Sequence, residues 1–385
     1  MPSLPHSLSV LREREYRLLF GGQLVSVLGD QMVNVALAFG VIGIGGSASD
    51  LGLVFAARAF ALVASLLVGG VVADRLPRRT VLIGADVVRL ASQGALAAAF
   101  ILGTPPVALV AALAAITGAA TGFFNPASTG FLVSVVSPAG LQQANALRGV
   151  SSSGGRIAGP VLSAALVATV GAGWALAVDA GTFAVSAAVL SRMRSGRERF
   201  AREASTSFVT DFREGWDAFR SRRWLWSFVA FFAYGNLLYG ALQVIGPLVA
   251  ERDLGGAPAW GAIIGASGVG GLIGGVVALG AVVAELGLML SVTLWESTLQ
   301  RHVAPEVLSR VSAYDWFGSM ALTPVGLALW GPIAAALGYG NALWLAFGLN
   351  LLGVAAILGV PEVRRLPPAP VGGTATAGVR AAGAA

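Results

Sequence analysis

A carboxylate in the middle of an apolar run is costly to keep, and this chain keeps one at Asp30, with Gln31 and Asn34 beside it, inside the hydrophobic stretch 17–42. An acid held there can load and release a proton as a cavity opens to one side or the other, or it can lock a buried ion pair that only positions helices. Three arginines in other apolar stretches are its possible partners: Arg58, Arg89 and Arg156. Arg58 and Arg156 lie too deep in their stretches to reach a water interface, so each must face a cavity or an acid. Proton or substrate coupling through Asp30, Arg58 and Arg156 is the sharper reading.

Other charges read as structural. Asp86 and Arg89, three residues apart on one helical face, pair locally near one end of their stretch and would close that end together with Asp74. Glu296 and Asp315 bracket helix ends where Arg301 or Arg310 could pair with them, and Asp179 and Glu285 are further acids in apolar surroundings. Catalysis has little to work with. The cluster Ser151, Ser152 and Ser153 has no His or Lys base in the apolar stretches, and no nucleophile-elbow motif is present. The two histidines, His6 and His302, stand far apart, and with no Cys in the chain neither a metal site nor a cofactor is expected. All 25 basic residues are Arg, so the Lys-bearing nucleotide loop of an ATP-driven pump is excluded.

The elements that must position these groups are membrane spans. Hydrophobic residues make up 56% of the 385, charged residues only 11%, against roughly 25% in a soluble protein. Runs of about 20 apolar residues, long enough to cross a bilayer, recur with short breaks. The expected spans are 17–42, 51–72, 80–102, 107–124, 144–170 and 174–190 in the first half. In the second half they are 225–249, 259–279, 282–299, 313–337 and 342–360. The N-terminal run is too long for a cleaved signal and is read as retained. A net charge of +6 could suggest a nucleic-acid partner, but the arginines crowd alternate connections, as the positive-inside rule requires of a cytoplasmic-membrane protein in a lipid bilayer. The N-terminus and the segment 191–223, with its nine arginines, are then cytoplasmic. Phe208, Phe212, Trp216 and Phe219 fall at helical spacing in that segment, an apolar stripe that would lie along the inner membrane face unless the segment is a plain linker.

The chain also repeats itself. Residues 136–146 (VSPAGLQQANA) and 303–313 (VAPEVLSRVSA) are faint copies, each followed by a Gly-Pro pair, Gly159-Pro160 and Gly331-Pro332. The prolines of the copies stand 167 residues apart and the Gly-Pro pairs 172 apart. Duplicated all-helical halves are the build of a secondary transporter. The second half comes up one span short, because 259–300 suits two crossings where the charged flanks demand an odd number. Either a short span is misplaced or one has been lost near 278–284. The reading adopted is eleven spans.

After the second span comes Gly70-Val-Val-Ala-Asp74-Arg75-Leu-Pro77-Arg78-Arg79, which resembles the loop between the second and third helices of the major facilitator superfamily, with Pro77 where a Gly is usual. The stretch 295–316 and the opening 17–37, with its Gly29-Asp30 pair, are similar to the macrolide and siderophore exporter branch. The resemblance implies an all-α integral membrane fold of two pseudo-symmetric bundles. These would be residues 1–190, a basic cytoplasmic linker 191–223, a shortened bundle 224–362 and a disordered tail 363–385, which Arg364 and Arg365 would hold inside and an odd count of eleven spans would put outside. It implies that Gly70, Asp74, Arg75, Arg78 and Arg79 belong to a conformational motif. The Gly-rich fifth span around Gly159 and Pro160 resembles a pliant gating helix, or is simply a packing surface. The function expected is proton-coupled export of a small amphipathic molecule by a monomer, an antiporter. The alternative is a non-transporting relic or regulatory membrane protein, left by loss of one span.

Overall fold

Without water to satisfy them, the backbone groups of long apolar runs must bond within the run, and the runs become helices. A computed structural model describes residues 6–137, 140–193, 216–217, 219–269, 295 and 305–364, and among these every element is helical. A short 3₁₀ turn, His6–Arg12, precedes α1 (Arg14–Gly43), α2 (Ala48–Arg75), α3 (Arg78–Leu102), α4 (Val107–Val135), α5 (Leu141–Val170) and α6 (Ala172–Arg192). Then come α7 (Arg223–Val249), α8 (Ala257–Val269), α9 (Pro305–Met320), α10 (Thr323–Leu337) and α11 (Tyr339–Gly359). Nine segments among the described residues are long and apolar enough to cross a membrane, with part of α9 and all of α10 forming one of them, Tyr314–Leu337.

Two expected boundaries shift. The fourth span does not stop at 124 but runs to Val135 straight through Pro126. A proline removes one helix bond without breaking a long, packed helix. The span expected over 313–337 is broken at Ala321-Leu322. That break lies between the second repeat copy and Gly331-Pro332, the interval in which the second copy carries five residues more than the first. Its counterpart α5 is a single unbroken helix. The expected join at 278–284, Glu285, Glu296, Arg301, most of the linker and the tail from 365 lie outside the described residues. For Gly70, Asp74, Arg75 and Arg310 only the helix is described.

The packing is twofold. α1 lies against α5 and α6, and α7 lies against α10 and α11 in the same pattern. The halves meet along two seams, α2 against α10 and α5 against α8. Both seams are glycine crossings. A Cβ on Gly331 would stand 2.5 Å from the Ala48 carbonyl oxygen, and one on Gly265 would stand 2.5 Å from Val161 Cγ2, so only hydrogen lets the backbones come this close.

The two ends of the bundle differ. At one end lie the short turns 44–47, 103–106, 171 and 338; here a single core joins both halves, from Val41, Leu51 and Val110 to Val244, Trp260, Trp330 and Ala342. Within the second half the same end is also bonded, the Trp330 indole of α10 donating to the Leu237 carbonyl of α7 at 2.8 Å. At the other end the Arg-rich connections gather, and among the described residues the core splits in two. One cluster, with Tyr16, Leu82 and Phe131, belongs wholly to residues 10–193, and the other, with Phe219, Trp224 and Val311, to residues 219–311.

Candidate functional site

Five charged side chains from four helices converge at mid-depth in the first half. Arg89 of α3, 1% exposed, pairs with Asp86 one turn back and sends Nη1 to 3.6 Å from Asp30 Oδ2 on α1. Its guanidinium carbon lies 4.0 Å from the ring centre of Phe124 on α4 and 4.3 Å from that of Phe183 on α6. A desolvated cation between two aromatic faces gains about 2 kcal/mol from such contacts, so Arg89 ties four helices at one point. Arg58 of α2 donates from Nη1 to Asn34 Oδ1 on α1 at 2.9 Å, and Asp30 and Asp179 attract it electrostatically. Asp179 of α6 is wholly buried, and neither carboxylate oxygen makes an aligned hydrogen bond, although the Gln93 amide stands near it. The approach of α6 to α1 depends on Gly29. A Cβ there would collide with Asp179 Oδ1 and stand 2.6 Å from Thr182 Oγ1.

Asp30 faces water. It is 30% exposed and lines a cavity of about 180 Å³ with Phe20, Gln23, Ser26, Phe124 and Arg148. All the lining residues lie between mid-depth and the arginine-rich end of α1, α4 and α5. The wall carries polar groups, with Gln23 Nε2 donating to Ser128 Oγ at 2.6 Å.

The other residues singled out from sequence fall elsewhere. Arg156 is exposed on α5, one turn deeper than the cavity residue Ser152 and apart from the Asp30 cluster. Gly159 is a packing site against Gln31 of α1, and α5 passes Pro160 unbroken. Arg78 donates to the Gly130 carbonyl at 2.9 Å. Arg79 donates to the Leu190 carbonyl at 2.8 Å, which the Met193 amide also reaches at 3.3 Å, and to the Ser191 carbonyl at 2.5 Å, at the negative C-terminal end of α6. Asp315 accepts from the Trp295 indole at 2.9 Å. The first repeat copy forms the α4–α5 junction, and the N-terminal turn clamps it. Gln143 accepts from Ser9, Glu13 accepts from Ser137, and Tyr16 donates to the Ala144 carbonyl.

Asp179 carries the same signal as Asp30, an acid in an apolar run, but spacing alone ranks it as structural. The ring contacts of Arg89 have no sequence signal, because Phe124 and Phe183 lie on other helices.

Comparison with known proteins adds the following. The family model described as Major Facilitator Superfamily matches residues 19–295. No curated protein matches the chain in sequence. Among solved structures, a variant of the nucleoside transporter NupG superposes with a TM-score of 0.66 at 13% identity, covering 90% of this chain and 99% of that one. A bacterial homologue of the human lysosomal transporter Spinster, in an inward-facing and unoccupied conformation, gives 0.66 at 13% identity over 94% of this chain and 91% of its own. A POT family transporter in complex with 5-aminolevulinic acid gives 0.67 at 11% identity over 91% and 97%. At these identities the likeness is one of fold.

Proposed function

This chain belongs to the Major Facilitator Superfamily, and we propose that it is a proton-coupled exporter of small amphipathic molecules, of drug, macrolide or siderophore type, in the cytoplasmic membrane. Its membership makes it a multi-pass membrane transporter rather than an enzyme. The observation that carries the finer reading is Asp30, a carboxylate at mid-depth that touches a cavity on one side and Arg89 on the other. Protonation of Asp30 would release its hold on Arg89 and its loss of the proton to the cavity would restore it, and because Arg89 ties four helices, either change reaches the whole half. Proton binding and helix packing are thereby linked. The mixed wall, with two phenylalanines, Gln23, four serines and Arg148, suits a solute that is partly apolar.

The arginine-rich end is assigned to the cytoplasm by the positive-inside rule. Its split core and the shared core opposite then describe an inward-open state. Alternating access would proceed by rocking the halves about the α2–α10 and α5–α8 seams.

The test is accumulation of ethidium and radiolabelled erythromycin in cells expressing the chain, with and without a protonophore. Accumulation is expected to fall, to recover with the protonophore, and to recover equally in Asp30→Asn at unchanged protein level. A wild-type chain present in the membrane that lowers accumulation of either probe regardless of protonophore would defeat the coupling.

A further inference from the structure

Asp179 has no part in the cavity, yet it is a fully buried acid whose two oxygens make no aligned hydrogen bond. A bare carboxylate in that position is expensive, and the usual outcome is neutralisation. The charges around it can be counted. α1 contributes Asp30, α2 Arg58, and α3 Arg89, to which Asp86 is paired, while α5, which also packs on α6, places Arg148 on the cavity and Arg156 on an exposed face. Three acids thus share two arginines. Arg89 is committed to Asp86 and leans to Asp30, and Arg58 is hydrogen-bonded to Asn34, which leaves Asp179 as the acid with neither a guanidinium in ion-pair contact nor an aligned donor.

We propose that in this conformation Asp179 holds a proton, which makes the five-residue cluster electrically neutral and Asp179 the inner member of a two-carboxyl relay whose outer member is Asp30. The inference rests on the proton-coupled reading and deepens it. One proton neutralises the cluster, so one proton is the unit that each cycle takes up and gives back. It leaves Asp179 for the Asp30 carboxylate, whose exposed edge passes it to water in the cavity, and the charge left on Asp179 is met by Arg58. Gly29 is a positioning residue in this relay, because its missing side chain lets Asp179 lie against α1 next to Asp30.

Infrared spectroscopy of the purified full-length chain in lipid nanodiscs, in H₂O against D₂O at neutral pH, tests the assignment. A protonated carboxyl without a hydrogen-bond partner gives a C=O stretch at the high-frequency edge of the carbonyl region, and it moves down on deuteration. That band is expected in the wild type, is lost in Asp179→Asn, and stays in place in Asp30→Glu, which keeps the charge count. Gly29→Ala crowds the Asp179 carboxyl without altering charge and is expected to shift the band, a readout that serves if Asp179→Asn does not fold. Absence of the band from the wild type, its survival in Asp179→Asn, its displacement in Asp30→Glu, or an unmoved band in Gly29→Ala would each overturn the proposal. Failure of the coupling reading looks different: the band would behave as described while transport ignored a protonophore.

Discussion

The two ends of the bundle are built from the same helices and hold together in opposite ways. At the turn-rich end one core runs through both halves, and the seams between them close on glycine. At the arginine-rich end, among the described residues, each half keeps its own core, and polar contacts run within the first half from Arg79 to the end of α6 and from the N-terminal turn to the α4–α5 junction. The difference shows where the molecule is free to move. A half with its own core can swing as a body, whereas a seam of fitted backbones must be broken or re-formed as a unit. The ion cluster sits between these regimes, reaching the cavity only through Asp30.

The comparison can be broken most severely at the cluster. Arg89→Leu leaves three acids with one arginine and removes the tie between α1, α3, α4 and α6. A loss of about 3–5 kcal/mol is expected, seen as a large drop in thermal unfolding temperature in detergent. The turn-end seam is next. Gly331→Leu drives a side chain into Ala48 and Ser49 and is expected to destabilise the seal by about 1–3 kcal/mol, whereas Gly149→Leu, which meets nothing within 4 Å, leaves it unchanged. Reactivity of a reporter cysteine at Ser49 reads both variants in a chain that has no cysteine of its own. Trp330→Phe keeps most of the ring and loses the bond to Leu237, a change of about 1 kcal/mol in unfolding free energy. The smallest effect belongs to the opposite end. Arg79→Gln weakens the hold on the α6 terminus by roughly 0.3–1 kcal/mol, visible as faster hydrogen exchange there with no change in seam reactivity.

Much of this architecture was legible in the residues. The apolar runs mark the helices, and the repeat marks the twofold build down to an inserted five residues that the structure renders as the α9–α10 break. The run through Pro126 was not legible, because a proline's effect depends on the packing around it, and α4 is gripped along its length by α2 and α3. The site was half legible. Asp30, Arg58 and Arg89 each announce themselves as charges in apolar sequence, but their order around Asp30 does not: Arg89 is the ion-pair partner, Arg58 is handed to Asn34, and Arg156 stands apart. Asp179 looked ordinary because its isolation arises from Gly29, which lies 150 residues away.

One measurement bears most directly on the account. A single cysteine in place of Ser152, on the cavity wall, is exposed to a membrane-impermeant maleimide in inside-out and in right-side-out membrane vesicles, with no solute and no gradient. Labelling from the cytoplasmic face alone is the result expected of a cavity that opens at the arginine-rich end beneath a sealed turn-rich end. Labelling from the outer face alone, or equal labelling from both, would contradict it.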